Sequence, residues 1–150
     1  MIRRTAAVLA LLFAASLSAP SAMAGSLHAA PATSPMRIVK IHYAQTGTNL
    51  NTEYIVIHNI TAKTVAVTGW TMTSSPATDN QSHTFGPTKI GPQHYVTLYT
   101  GSGTISTGKR YWGAPGPVWN NDGDYAVLTN SGGGVMDTCR YAGGGTTALC

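Results

Sequence analysis

Beyond about residue 36, apolar and polar side chains alternate in short runs, each stopped by Gly, Pro, Asn or Ser. A period of two marks a strand with one buried and one solvated face. In residues 37–43 (RIVKIHY) it puts Val39, Ile41 and Tyr43 on one face and Ile38, Lys40 and His42 on the other. Residues 53–58 (EYIVIH), 63–73 (KTVAVTGWTMT), 82–85 and 94–100 (HYVTLYT) read as further strands. Gly69 marks a bulge or a point of close backbone approach. Residues 125–129 and 134–141 predict a hairpin turning across 130–133.

In this region apolar residues do not recur at helical spacing, and Gly, Thr, Ser and Asn are abundant. About seven to eight short strands separated by polar turns describe an all-β sandwich or small barrel. The core is expected to draw, in some alternating selection, on Val39, Ile41, Ile55, Ile57, Val65, Val67, Val96, Leu98, Val127 and Leu128. Trp70 reads as an anchor between the sheets.

The first 24 residues break the pattern. Arg3 and Arg4 precede an apolar stretch at 6–15, and Ala22-Met23-Ala24 has the small-x-small spacing of a cleavage site. That stretch is shorter than the roughly 20 residues of a membrane span. Residues 1–24 therefore read as a cleavable signal peptide, and the mature chain as secreted, with no transmembrane segment. The general secretory route is preferred to the twin-arginine route that Arg3-Arg4 also suggests. Residues 25–36, rich in Ala, Pro and Ser, read as a flexible leader, and residues 37–150 as one domain.

Cleavage changes the charge picture. Seven Lys and Arg would remain against five Asp and Glu, so the net charge falls from +4 to +2. The remaining cations are scattered and only Lys109 and Arg110 are adjacent, which argues against a nucleic-acid partner. Two cysteines in an exported chain, Cys139 and Cys150, have one internal pairing open to them. Closing that loop stabilises a fold by roughly 3 kcal/mol in the chain-entropy model, and it ties down the C-terminal residues.

Several strings, in order, resemble the lamin-tail domain family. Residues 53–59 (EYIVIHN) are similar to its E-Y-V-E-I-x-N strand, and residues 67–72 (VTGWTM) to its L-x-G-W-x-L. His83-Thr84-Phe85 and residues 90–98 (IGPQHYVTL) follow the family's Y-x-F and I-x-P-G-x-x-V-x-V. Residues 118–128 (VWNNDGDYAVL), preceded by Tyr111-Trp112-Gly113, resemble W-N-N-x-G-D-x-A-x-L of secreted bacterial members. The strand at 134–141 resembles their G-x-V-V-D-T close. Two positions depart: Gln93 stands where the family prefers Gly, and Val56 where many members carry Glu. The resemblance covers about residues 37–141. It implies an immunoglobulin-like, Greek-key β-sandwich used as a binding or structural module, with no catalytic residues to carry over.

Candidate chemistry is sparse. The acids after residue 36 are Glu53, Asp79, Asp122, Asp124 and Asp137. Glu53 has no sequence neighbour to form a glycosidase acid pair. Residues 100–103 (TGSG) read as a loop and lack a nucleophile elbow, and both cysteines are expected to be oxidised. No catalytic residue and no cofactor is assigned. His42 and His58 share the outward phase, and His83 and His94 flank a turn, but no zinc spacing accompanies them. Residues 120–124 (NNDGD) read as a turn with Gly123-Asp124 entering a strand. Asp122 and Asp124 are its calcium candidates, without the spacing or distal Glu of a calcium loop. Residues 59–61 and 80–82 match the glycosylation sequon.

Aromatics give the strongest binding signal. Tyr95, Tyr99, Tyr111, Trp112 and Trp119 crowd the second half. With Val96 and Leu98 inward, Tyr95 and Tyr99 face outward, where they can stack sugars or meet a protein. Trp112 and Trp119 either join them or pack a long loop against the sandwich edge. The expected function is a non-catalytic extracellular module contacting a protein, polymer or cell-envelope component. A carbohydrate-binding module and a small secreted enzyme are the alternatives.

Overall fold

The computed structural model describes residues 34–74 and 81–150. The expected signal peptide at 1–24 and the expected leader up to residue 33 lie outside these residues. Eleven strands run through the described part: β1 (Met36–His42), β2 (Tyr54–Asn59), β3 (Val65–Ala66), β4 (Thr71–Ser74), β5 (Gln81–Thr84) and β6 (Lys89–Ile90), then β7 (Tyr95–Tyr99), β8 (Lys109–Tyr111), β9 (Asp124–Thr129), β10 (Val135–Tyr141) and β11 (Thr147–Leu149). A five-stranded sheet has the order β11-β1-β2-β7-β8, a four-stranded sheet the order β10-β9-β4-β5, and β3 pairs with β6. The chain thus crosses between layers repeatedly, and the result is the immunoglobulin-like sandwich that the strand pattern and the resemblance imply. The short strands β6, β8 and β11 carry too little alternation to show in sequence, and β8 pairs with β7 in parallel.

The layers meet over Ile38, Ile41, Ile55, Ile57, Val96 and Leu98 from the larger sheet and Met72, Ala126, Leu128 and Cys139 from the smaller, all essentially inaccessible to solvent. Each fully buried Ile or Leu contributes about 1.5–3 kcal/mol relative to exposure. Trp70, Phe85 and Ile90 fill the end of the core.

In β1 simple alternation fails. Ile38 is buried and Val39 is not, because the register slips between Ile38 and Lys40 and leaves Val39 as the extra residue of a bulge. The bulge turns Ile38 and Ile41 to the same side. Residues 34–36 also correct the leader boundary: Ser34 and Met36 are buried, and Met36 opens β1. Gly69 occupies a turn with φ +76°, a left-handed conformation, between β3 and β4.

Two links join the layers beside β1. Asp137 on β10, fully buried, accepts the Ile38 amide at 2.6 Å through Oδ2 and the Thr138 amide at 2.9 Å through Oδ1. Close by, Cys139 of β10 is disulfide-bonded to Cys150, whose amide donates to the Val39 carbonyl. A covalent bond and a carboxylate therefore stitch β10 to the β1–β11 edge.

Candidate functional site

The outward face of the five-stranded sheet gathers rings from four adjacent strands. Register pairs His42 with Tyr54, Tyr54 with Tyr99, and Tyr99 with Tyr111. Directly opposed residues share a face, so these side chains form one transverse row. Their ring centroids follow at 5.2, 5.7 and 5.5 Å. Four residues along β2, His58 stacks on Tyr95 of β7 at 4.1 Å. Between the two sets runs a third row, Lys40–Val56–Thr97–Lys109. Lys40 Nζ lies 5.4 Å from the centre of the Tyr54 ring, a cation–π contact. Tyr95 is 54% exposed, while Tyr54, Tyr99 and Tyr111 are half-buried by one another.

The rings mostly spend their faces on each other. His42 and Tyr54 are 11° from parallel, His58 and Tyr95 also 11°, and Tyr99 and Tyr111 24°. What such stacks leave to a ligand is chiefly ring edges and phenolic hydroxyls.

Sequence phase separates the five aromatic candidates into two groups only in part. Tyr95, Tyr99 and Tyr111 do meet on this face. Trp119 does not: it is 2% exposed, its Nε1 is enclosed without a hydrogen-bond partner, and it stands edge-on to Trp112. It is corrected from ligand contact to core. Trp112 is half-buried between Trp119 and His83. Both indoles sit in the β8–β9 loop, which runs inward because buried acceptors hold it there.

Those acceptors are carboxylates. Glu53, fully buried just before β2, accepts the Val118 amide at 3.0 Å and the Trp119 amide in a very short bond. Asp124, at the start of β9, accepts the Tyr125 amide at 2.6 Å and the Asn120 amide at 3.3 Å, with the Ser74 hydroxyl 2.9 Å away. Burial pushes the Glu53 carboxyl up to about 7, against the pull of the Trp119 and Val118 amides and the Thr100 hydroxyl, and Asp124 adds a smaller push. Burial, and then the two carboxylates, also drive the Tyr141 phenol strongly upward. That phenol donates to the Asn120 carbonyl at 2.8 Å and its ring stacks on Tyr43 at 4.3 Å.

The carboxylates that sequence leaves unpaired are therefore neighbours in space, and they act as a latch on the 112–123 loop. The same geometry removes the calcium candidates: Asp124 is turned inward onto amides while Asp122 is exposed in the loop. Among the described residues no three His, Cys, Asp or Glu side chains converge to hold a metal ion.

The histidines also part company. His42 and His58 share the outer face but lie in different rows, each against a tyrosine. His83 packs edge-on to Phe85, where burial lowers its pKa, and His94 is exposed with Nδ1 2.7 Å from the Pro92 carbonyl. Asn59 of the first sequon is fully buried and its amide donates to the carbonyls of Lys63, Ile90 and Gly91, so it is spent on structure. Asn80 lies outside the described residues.

Sequence reasoning missed Tyr54 and Lys40 as members of the ring face, although the outward phase of residues 54–58 around Ile55 and Ile57 carried that signal. The Gln93 departure has a structural meaning. Its φ of +57° is the only left-handed non-glycine value among the described residues, and its Nε2 donates to the Ile60 carbonyl at 2.8 Å.

Fold and site together define an immunoglobulin-like sandwich with an aromatic outer face and buried structural acids. The lamin tail domain model matches residues 29–143, and the chain belongs to that family. Lamin tail domains are non-enzymatic and serve as binding or structural modules. A search of curated proteins finds no match.

Proposed function

We propose that the chain is an exported, non-catalytic binding module whose contact surface is the outer face of the five-stranded sheet. One observation carries the reading: the row His42–Tyr54–Tyr99–Tyr111, with exposed Tyr95 beside it, occupies a face that folding does not need to make aromatic. Tyrosines concentrate at recognition surfaces because they offer large contact area at low conformational cost. Export is supported by the pattern of residues 1–24 and by the Cys139–Cys150 disulfide, which persists in oxidising compartments. No helix among the described residues is long and apolar enough to cross a membrane.

A flat sugar platform is less favoured, because stacked rings have few open faces. An enzyme is less favoured because Glu53 and Asp124 are committed to backbone amides. The test is retention of the oxidised protein on envelope fractions and on exported proteins of the source cell. Loss of retention in the Tyr54→Ser/Tyr99→Ser variant, with retention intact in Thr71→Ala/Thr129→Ala on the opposite face, is expected. Equal behaviour of the two variants would refute the assignment of the surface.

A further inference from the structure

We infer that this face receives an acidic stretch of another polypeptide, laid across the strands between Lys40 and Lys109. The inference rests on the reading of the face as the contact surface and names its partner.

Register defines a trough. Its floor is Val56 and Thr97, its ends are Lys40 and Lys109, and its walls are the tyrosine row on one side and the His58–Tyr95 stack on the other. At strand spacing the two lysines stand roughly 14 Å apart, and at strand rise the walls are separated by roughly 13 Å. An extended chain fits between walls at that distance.

Charge selects its chemistry. No carboxylate among the described residues stands on this face, since Glu53, Asp124 and Asp137 are buried and Asp122 is in the β8–β9 loop. Val56, in the floor, is apolar and half-buried, so the floor itself carries no charge to oppose an acidic chain. Lys109 is exposed, and Lys40 is half-exposed over Tyr54. Ring edges carry the positive end of the aromatic quadrupole, so walls made of stacked rings favour carboxylates over stacking ligands. Nucleic-acid bases and sugars need the ring faces that these stacks cover. A second copy of the same face would oppose lysine to lysine.

The decisive position is Val56. The probe is a fluorescein-labelled dodecamer of glutamate, titrated with oxidised protein at low salt and read by anisotropy. Binding is expected to weaken about tenfold or more in Val56→Glu and to tighten in Val56→Lys. Lys63→Glu, which makes a charge change on the exposed turn after β2, should leave it unaltered, and thermal melts should show each variant folded. Equal weakening by Lys63→Glu and Val56→Glu would overturn the inference in favour of bulk charge attraction. Twelve-residue oligothymidylate and a soluble polyuronate are titrated in parallel. If either binds in a Val56-dependent way while the glutamate peptide does not, the polypeptide partner falls but the surface stands. If no probe responds to Val56→Glu, both fall.

Discussion

The two solvent faces of the sandwich are built from different residues on the same core. The five-stranded sheet presents tyrosine, histidine and lysine in register rows, whereas the four-stranded sheet presents Thr71, Thr73, Ser82, Thr84, Val127 and Thr129 from paired positions. The aromatic edge of that second face is Tyr125, under the Arg140 guanidinium at 4.6 Å. Threonine is the side chain a strand takes when only its pleat needs satisfying. Tyrosine in three adjacent strands, with histidine in the fourth, exceeds that need. The difference teaches that the inward residues of both sheets specify the fold, while the outward residues of one sheet form the proposed recognition surface.

The largest test removes the link beneath both faces. Cys139→Ser with Cys150→Ser should lower stability by about 3 kcal/mol, measured by urea unfolding at a fixed pH. Both faces should still melt in one transition, followed by tyrosine fluorescence and far-ultraviolet dichroism. Separate transitions would break the view that they rest on one core.

Next comes the Glu53 latch, which ties the start of β2 to the loop entering β9. Burial holds its carboxyl at about 7 in the folded protein, against about 4.5 when it is free in the unfolded chain. Between those values the folded state holds the extra proton, so stability is greatest below about 4.5 and falls as pH rises to about 7. The fall is up to about 3 kcal/mol at 1.4 kcal/mol per unit. Denaturant titrations across that window should show the slope in the wild type and lose it in Glu53→Gln. A persistent slope would assign it to another group.

A smaller effect separates the faces directly. Tyr54→Thr/Tyr99→Thr should cost about 1–2 kcal/mol through lost ring pairs, leaving a folded protein by heteronuclear NMR. A collapse of the spectrum would make the ring row structural rather than functional. The smallest effect belongs to Thr73→Ala on the other face, within about 0.5 kcal/mol; a loss above 2 kcal/mol in thermal melts would give that face a role of its own.

Much of this architecture was legible along the chain because period two survives in β2, β7 and β9, where Ile55, Ile57, Val96, Leu98, Ala126 and Leu128 all point inward. It failed in β1 because one bulged residue, Val39, shifts the phase, and bulges leave no mark in hydropathy. The outward set was half visible: phase exposes Tyr95 and Tyr99, but only register brings Tyr54, Tyr111 and His42 into their row. The latch was illegible, since Glu53 and the Val118–Trp119 amides are 65 or more positions apart and buried acids look like surface acids in a string.

The stitched edge also sets an order of events. Lys40 of β1 lies opposite Leu149 of β11, so the first strand cannot complete its outer ladder until residues more than a hundred positions downstream have been made. Contacts of such long range slow folding, and until they form β1 offers an open edge to other nascent chains. Oxidation of Cys139 and Cys150 then closes the route behind it. Closure of this edge is thus a late event, and the disulfide then holds it shut.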